Sequence, residues 1–117
     1  MTLDREWMRG AAPLAVLTLL DQREMYGYEL VEALERVTGG LLAMGQSTVY
    51  PLLYNLEDRG HVAAAWRTAP SGRRRKYYRV TDEGRAWLAS QRGQWSRLVE
   101  ALGRLGLAPA GPEEAAP

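Results

Sequence analysis

Two groups of side chains in this sequence have the types and spacing to do chemistry, and in both the chemistry is recognition rather than bond breaking. The first is a run of cations: positions 59 to 79 hold seven basic residues, Arg59, Arg67, Arg73, Arg74, Arg75, Lys76 and Arg79, and no acidic one. The rest of the chain holds eight basic against fourteen acidic residues, so a net charge of only +1 conceals a local excess. A basic patch on an otherwise acidic protein is the electrostatic footprint of phosphate binding. The second group is Ser47, Thr48, Tyr50, Tyr54 and Asn55, short polar and aromatic groups of the kind that reach base edges and thymine methyls. Catalysis has far less to work with. Cysteine is absent and His61 is the single histidine, which argues against both a His-based metal site and a His-dependent triad. Scattered Asp and Glu do not make a convincing carboxylate pair. His61 reads as an exposed loop residue.

Those groups must be positioned by one small domain, since 117 residues with 46% hydrophobic content suffice for a single core. Residues 1–10 read as an N-terminal arm. Over residues 13–21 the apolar side chains Pro13, Val16, Leu17 and Leu20 share one helical face. Met25-Tyr26-Gly27 interrupts that pattern, and a second helix follows with Leu30, Val31, Leu34 and Val37 inward and Thr38-Gly39-Gly40 as its stop. A third helix runs from Gly45 or Gln46 to Arg59, because Val49, Leu52, Leu53 and Leu56 recur at core spacing and Gly60 can cap its end. Rotation by 100° per residue then turns Ser47, Pro51, Tyr54, Asn55 and Asp58 outward, with Thr48 and Tyr50 on the flanks. Pro51 removes one backbone hydrogen bond from this helix.

Residues 61–68 and 75–80 are strand-like runs separated by a turn containing Pro70, Ser71 and Gly72, which together read as a β-hairpin. Alternation puts Lys76, Tyr78 and Val80 on one face and Arg75, Tyr77 and Arg79 on the other. Thr81 or Asp82 caps a long final helix in which Leu88, Trp95 and Leu102 recur every seven residues, with Gln91, Leu98 and Leu105 offset by three. This is a short heptad pattern, so Leu88, Trp95, Leu98, Leu102 and Leu105 are expected at a dimer seam. The interior glycines Gly84, Gly93, Gly103 and Gly106 weaken it, each by about 1 kcal/mol against alanine. The expected organisation is mainly α with a small β-hairpin: a winged helix-turn-helix over residues 11–81, a C-terminal dimerisation helix over 82–107 and a disordered tail over 108–117. The longest early apolar stretch, residues 11–20, is half the ~20 residues a membrane span requires. No small-residue cleavage site follows it, so a cytoplasmic location and no membrane partner are expected.

Three helices followed by a basic hairpin invite a more specific comparison. Met8-Arg9-Gly10, Tyr26-Gly27-Tyr28-Glu29, the stretch from Ser47 through Tyr50-Pro51-Leu52-Leu53-Tyr54-Asn55 to Gly60, and the stretch from Gly72 through Arg75-Lys76-Tyr77-Tyr78 to Gly84 together resemble the PadR family of transcriptional regulators. The resemblance extends over about residues 9–105. It implies a homodimeric repressor of the short-tailed branch, with a single C-terminal helix and no enzymatic activity. It further implies that Thr48, Tyr50 and Pro51 lie on or beside double-stranded operator DNA, and that Arg73 to Lys76 form the tip of the wing. Tyr28 and Tyr78 are open between phosphate contact and core packing, with packing preferred because each lies on the apolar side of its element. Gln94-Trp95-Ser96-Arg97-Leu98 is similar to the final helix of multidrug-responsive members, in which an aromatic crosses the dimer interface and flanks a ligand. That makes Trp95 either part of a pocket for a small planar aromatic effector or a residue filling the seam. A different class of reading, a winged helix that binds only other proteins, would not need seven cations around its hairpin.

Overall fold

The computed structural model describes residues 2–107, and the tail expected over 108–117 lies outside the described residues. Four helices and three short strands follow in the order α1 (Arg5–Gln22), β1 (Met25–Tyr26), α2 (Gly27–Val37), α3 (Gln46–Asp58), β2 (Val62–Thr68), β3 (Arg74–Val80) and α4 (Asp82–Arg104). No described helix is long and apolar enough to cross a membrane. The mainly helical chain with its small antiparallel sheet is the winged helix-turn-helix expected from the sequence.

Three elements differ from expectation. Residues 5–10, read as arm, are the first turns of α1, which runs straight through Pro13. Proline removes one intrahelical donor, but burial of Ala12, Val16, Leu17, Leu19 and Leu20 against the core holds the helix together on both sides of it. Met25 and Tyr26, read as an interruption, form a third strand that pairs with Tyr78 and Tyr77, giving the sheet order β1-β3-β2. Two residues are too short for alternation to reveal a strand. Val37, expected inward, is exposed at the end of α2, and Ala33 takes the buried place beside Leu30 and Leu34.

The core is built from all four helices and the base of the hairpin. Val16, Leu17, Leu30, Leu34, Val49, Leu53, Leu56, Tyr78 and Leu88 are its most deeply buried side chains. In α3 the apolar stripe behaves as its spacing dictates, with Val49, Leu53 and Leu56 buried and Leu52 packed at the margin.

The end of α3, the start of the hairpin and the start of α4 meet at one joint. Gly60, at φ +78°, takes the left-handed turn that releases the chain from α3, and the His61 N–H donates back to the Leu56 carbonyl at 2.9 Å. The His61 carbonyl in turn accepts the Thr81 N–H at 3.0 Å. The Thr81 hydroxyl donates to the Gly60 carbonyl at 2.6 Å and accepts from the Gly84 N–H at 3.0 Å, capping α4. Gly84 lies so close that a β-carbon there would stand 2.1 Å from the His61 carbonyl oxygen. His61, expected as an exposed loop residue, is partly buried in this joint and stacks on Trp87 with ring centroids 5.0 Å apart. Nothing near His61 in the chain marks it as a packing residue, because its partner is contributed by a helix a quarter of the chain away.

Gly84 and Gly93, both within α4, should therefore behave oppositely. Gly84→Ala must push backbone from backbone and is expected to destabilise by at least the ~1–3 kcal/mol typical of overpacking. Gly93 has nothing within 4 Å of the place an added β-carbon would take, and should gain up to ~1 kcal/mol as alanine. Urea unfolding of the two variants checks this; equal effects of like sign would contradict the joint.

Candidate nucleic-acid interface

The outward face of α3 carries Ser47, Thr48, Pro51, Tyr54 and Asn55, all exposed, as the helical rotation requires. Pro51 also leaves the Ser47 carbonyl without its usual i+4 donor. Tyr50 differs from the rest of the group. It is partly buried against the core, and its ring fills the space over Gly27, where a β-carbon would come within 2.5 Å of the ring carbons. Tyr54 lies 6.4 Å from Tyr50, centroid to centroid, and projects farther out.

Around Gly27 the sequence signature Tyr26-Gly27-Tyr28-Glu29 resolves into separate jobs. The Glu29 carboxylate accepts the Tyr26 N–H at 3.1 Å, closing the first turn of α2. Gly27 makes room for Tyr50. Tyr28, expected to pack in the core, is 47% exposed, and a hydrogen bond with Glu32, reinforced by that carboxylate's charge, raises its phenol pKa. Tyr78 takes the other course and is 1% exposed.

The hairpin sorts its cations by face. At the tip, the Ala69 N–H donates to the Arg73 carbonyl at 2.7 Å and the Gly72 N–H to the Ala69 carbonyl at 2.9 Å. This turn leaves Arg73 and Arg74 exposed. Arg75 is not at the tip: it lies on the outer face of the sheet, its guanidinium 4.5 Å from the Tyr26 ring centre. Arg67 sits over Tyr77 on that same face at 4.3 Å and pairs with Glu24.

Lys76 is also a correction to the expected wing tip. It faces inward, with its ammonium 3.5 Å from a Glu57 carboxylate oxygen, 5.5 Å from the Tyr54 ring centre and 5.3 Å from that of Tyr78. Burial works against its charge, but Tyr78 and Glu57 more than offset this and raise its pKa. Lys76 thus braces the hairpin against α3 and steadies Tyr54. The alternation along β3 places it with Tyr78 and Val80, which is the signal that its position is inward. Glu57, on the half-buried flank of α3, is the ion-pair partner of Lys76 that the sequence pattern does not single out. Trp66 stands opposite Lys76 across the β2/β3 ladder.

Beyond the core, α4 continues as an exposed rod. Leu88, expected at a dimer seam, is 2% exposed within this chain's own core and is unavailable to a partner. Trp95, Leu98 and Leu105 are exposed and Leu102 half-buried. Trp95 is 55% exposed and, with Trp7, Leu14 and Leu98, lines a largely apolar groove of about 840 Å³ between α1, α2 and α4.

Comparisons with known proteins agree with this architecture. The model of the transcriptional regulator PadR-like family matches residues 16–90. The chain is similar to the transcriptional regulator Rv3488 of Mycobacterium tuberculosis, being 36% identical over 100 residues that cover 86% of each protein. It is 28% identical over 93 residues to the transcriptional regulator YqjI of Escherichia coli, covering 80% of this chain but only 43% of that longer protein. The crystal structure of a PadR family transcriptional regulator from Eggerthella lenta superposes with a TM-score of 0.74 at 38% identity, covering 86% of this chain and 85% of that one.

The hydroxyl of Tyr78 is buried and has no hydrogen-bond partner among the described residues. Burial, opposed by the Lys76 charge and assisted by Tyr54 and Glu57, raises its pKa. A phenol that keeps its proton longer when folded contributes stability below the unfolded pKa, about 10, and that contribution is lost as pH rises through the folded value. Lys76, with its own raised pKa, loses its charge in the same direction. Tyr78→Phe should therefore leave stability near pH 7 unchanged or increased, because it removes an unsatisfied polar group, and should flatten the fall above pH 10. A large loss at pH 7 in thermal unfolding would show that the hydroxyl has a partner.

Proposed function

The chain belongs to the PadR-like family of transcriptional regulators, and from that premise we propose that it is a homodimeric repressor in which α3 reads an operator half-site while the hairpin grips the flanking backbone. As a member of that family it is a DNA-binding regulator rather than an enzyme. The observation that carries the finer reading is the adjacency of two surfaces of matched chemistry. Exposed Thr48, Tyr54 and Asn55 on α3 suit base edges, and the arginine tip of the hairpin suits phosphate oxygens. The brace from Lys76 to Glu57 ties the two surfaces together.

Dimerisation is supported by the exposed apolar side chains of Trp7, Trp95, Leu98 and Leu105. Patches of this kind on a small domain mark interaction sites. A two-fold dimer would bind an operator whose half-sites are about 34 Å, one helical turn, apart. Release by a small planar aromatic effector is the further part of the proposal. Two Trp95 rings brought together across the dimer axis would frame an apolar slot, and a ligand that binds best at one helix separation would favour that separation over the one fitting the operator.

Anisotropy titrations across a salt series test the DNA reading. Arg73→Ala and Arg74→Ala should each flatten the slope of log K against log salt by about 0.9 on any duplex. Thr48→Ala or Asn55→Ala should reduce the preference for operator over random DNA by ~1–3 kcal/mol where a base contact is lost. Unchanged slopes in the arginine variants would count against the wing as a backbone grip.

The effector reading makes its own demand. Planar aromatic compounds should quench tryptophan emission and weaken operator binding together, and Trp95→Ala should abolish both effects while remaining dimeric in sedimentation. A Trp95→Ala monomer, with no quenching in the parent, would make this residue seam packing and end the effector proposal.

A further inference from the structure

Trp66 has no role in any of these readings. It is 60% exposed, an unusual position for the largest apolar side chain on a short strand that could have carried a polar residue. Its orientation follows from the ladder. Directly opposed residues on antiparallel strands project to one face, so the pairings Val62 with Val80, Ala64 with Tyr78, Trp66 with Lys76 and Thr68 with Arg74 define a single side of the hairpin. Val62, Val80 and Tyr78 are buried on that side, which is therefore the side turned toward the helices. Trp66 lies two residues beyond Ala64, about 7 Å farther along the strand, where the hairpin has passed the edge of the core. Its neighbours there are the brace Lys76, whose ammonium also sits by Tyr54 on the reading face of α3, and the exposed tip cation Arg74.

We infer that Trp66 is an additional DNA-contacting residue, whose indole packs on the sugar-phosphate backbone beside the groove entered by α3, between the base-reading surface and the arginine tip. The inference rests on the DNA-binding reading above and extends it. Duplex DNA is the occupant the surroundings specify: the strip between Tyr54 and Arg74 is bordered by cations, which suits a polyanion, and its centre is an aromatic plane, which suits the apolar face of deoxyribose. The indole N–H can donate to a phosphate oxygen from the same position. Because the side chain reads no base edge and brings no cation to the phosphates, it should add affinity without adding sequence preference or salt dependence.

Trp66→Ala is accordingly expected to lower affinity for operator and random duplex alike, on the order of tenfold, the scale set by removing one large aromatic face from water. The salt slope should stay at the parent value, in contrast to Arg74→Ala. Its thermal midpoint should match the parent, since the side chain is largely in solvent already. Independently of any variant's fold, protein labelled with 5-fluorotryptophan should show the fluorine resonance of Trp66, assigned from Trp66→Phe, moving on addition of duplex while that of Trp7 does not. Parent-like affinity in Trp66→Ala, or a Trp66 resonance unmoved at saturating DNA, overturns the inference and leaves the DNA-binding reading standing. Loss confined to the operator overturns the assignment to the backbone. Failure of the parent to bind any duplex would overturn the reading beneath it.

Discussion

The relative placement of α3, the hairpin and the C-terminal helix depends on one backbone carbonyl, that of His61. It receives the Thr81 amide and is approached by Gly84 more closely than any β-carbon would permit. The adjacent Gly60 carbonyl takes the Thr81 hydroxyl. Because the constraint lies between main-chain atoms, no rotamer change can relax it. The direction in which α4 leaves the domain is thus set by the same atoms that end α3 and begin β2. The docked first turns of α4 are thereby indexed to the face of α3.

A second layer of organisation is aromatic and cationic. Tyr50 rests on Gly27, Tyr26 stands edge-on to Tyr77 at 5.5 Å, and Arg67 and Arg75 lie over the rings of Tyr77 and Tyr26. Partly exposed ion pairs such as Lys76 with Glu57 contribute little stability on their own, roughly 0–1 kcal/mol. Their effect is orientational. By engaging Arg67, Arg75 and Lys76 within the protein, the sheet leaves Arg73 and Arg74 as the cations that project from its tip.

Fold and element order are legible in the sequence because they are written in periodicity: a 3.6-residue stripe through Val49, Leu53 and Leu56 and a two-residue alternation through Lys76, Tyr78 and Val80. The outward face of α3 follows from the same geometry. What escapes is information held between distant residues. The run of seven cations has no acid within it, yet Glu24 and Glu57 reach it from other elements. Tyr28 sits in a motif whose neighbours are structural, and the apolar pattern of α2 gives no sign that it faces water. Leu88 shares a heptad register with Trp95 and Leu102, but the first turns of α4 are docked on the domain's own core and the later turns are not. A repeat of seven records which residues share a face, not what that face meets.

That division within α4 has a consequence in terms of helix–coil equilibrium. From Ala89 to Arg104 the helix has no buried residue, and it contains Gly93 and Gly103, each unfavourable by about 1 kcal/mol. Isolated helices near this length are marginal in water even with better sequences, because propagation barely repays nucleation. Here the docked first turns supply the nucleus, so the outer segment is spared that cost and needs only propagation. Its free end frays by single residues rather than melting as a block, and any surface that covers Trp95 and Leu98 raises its helical content. Helicity of this segment is therefore a direct gauge of what is bound along it.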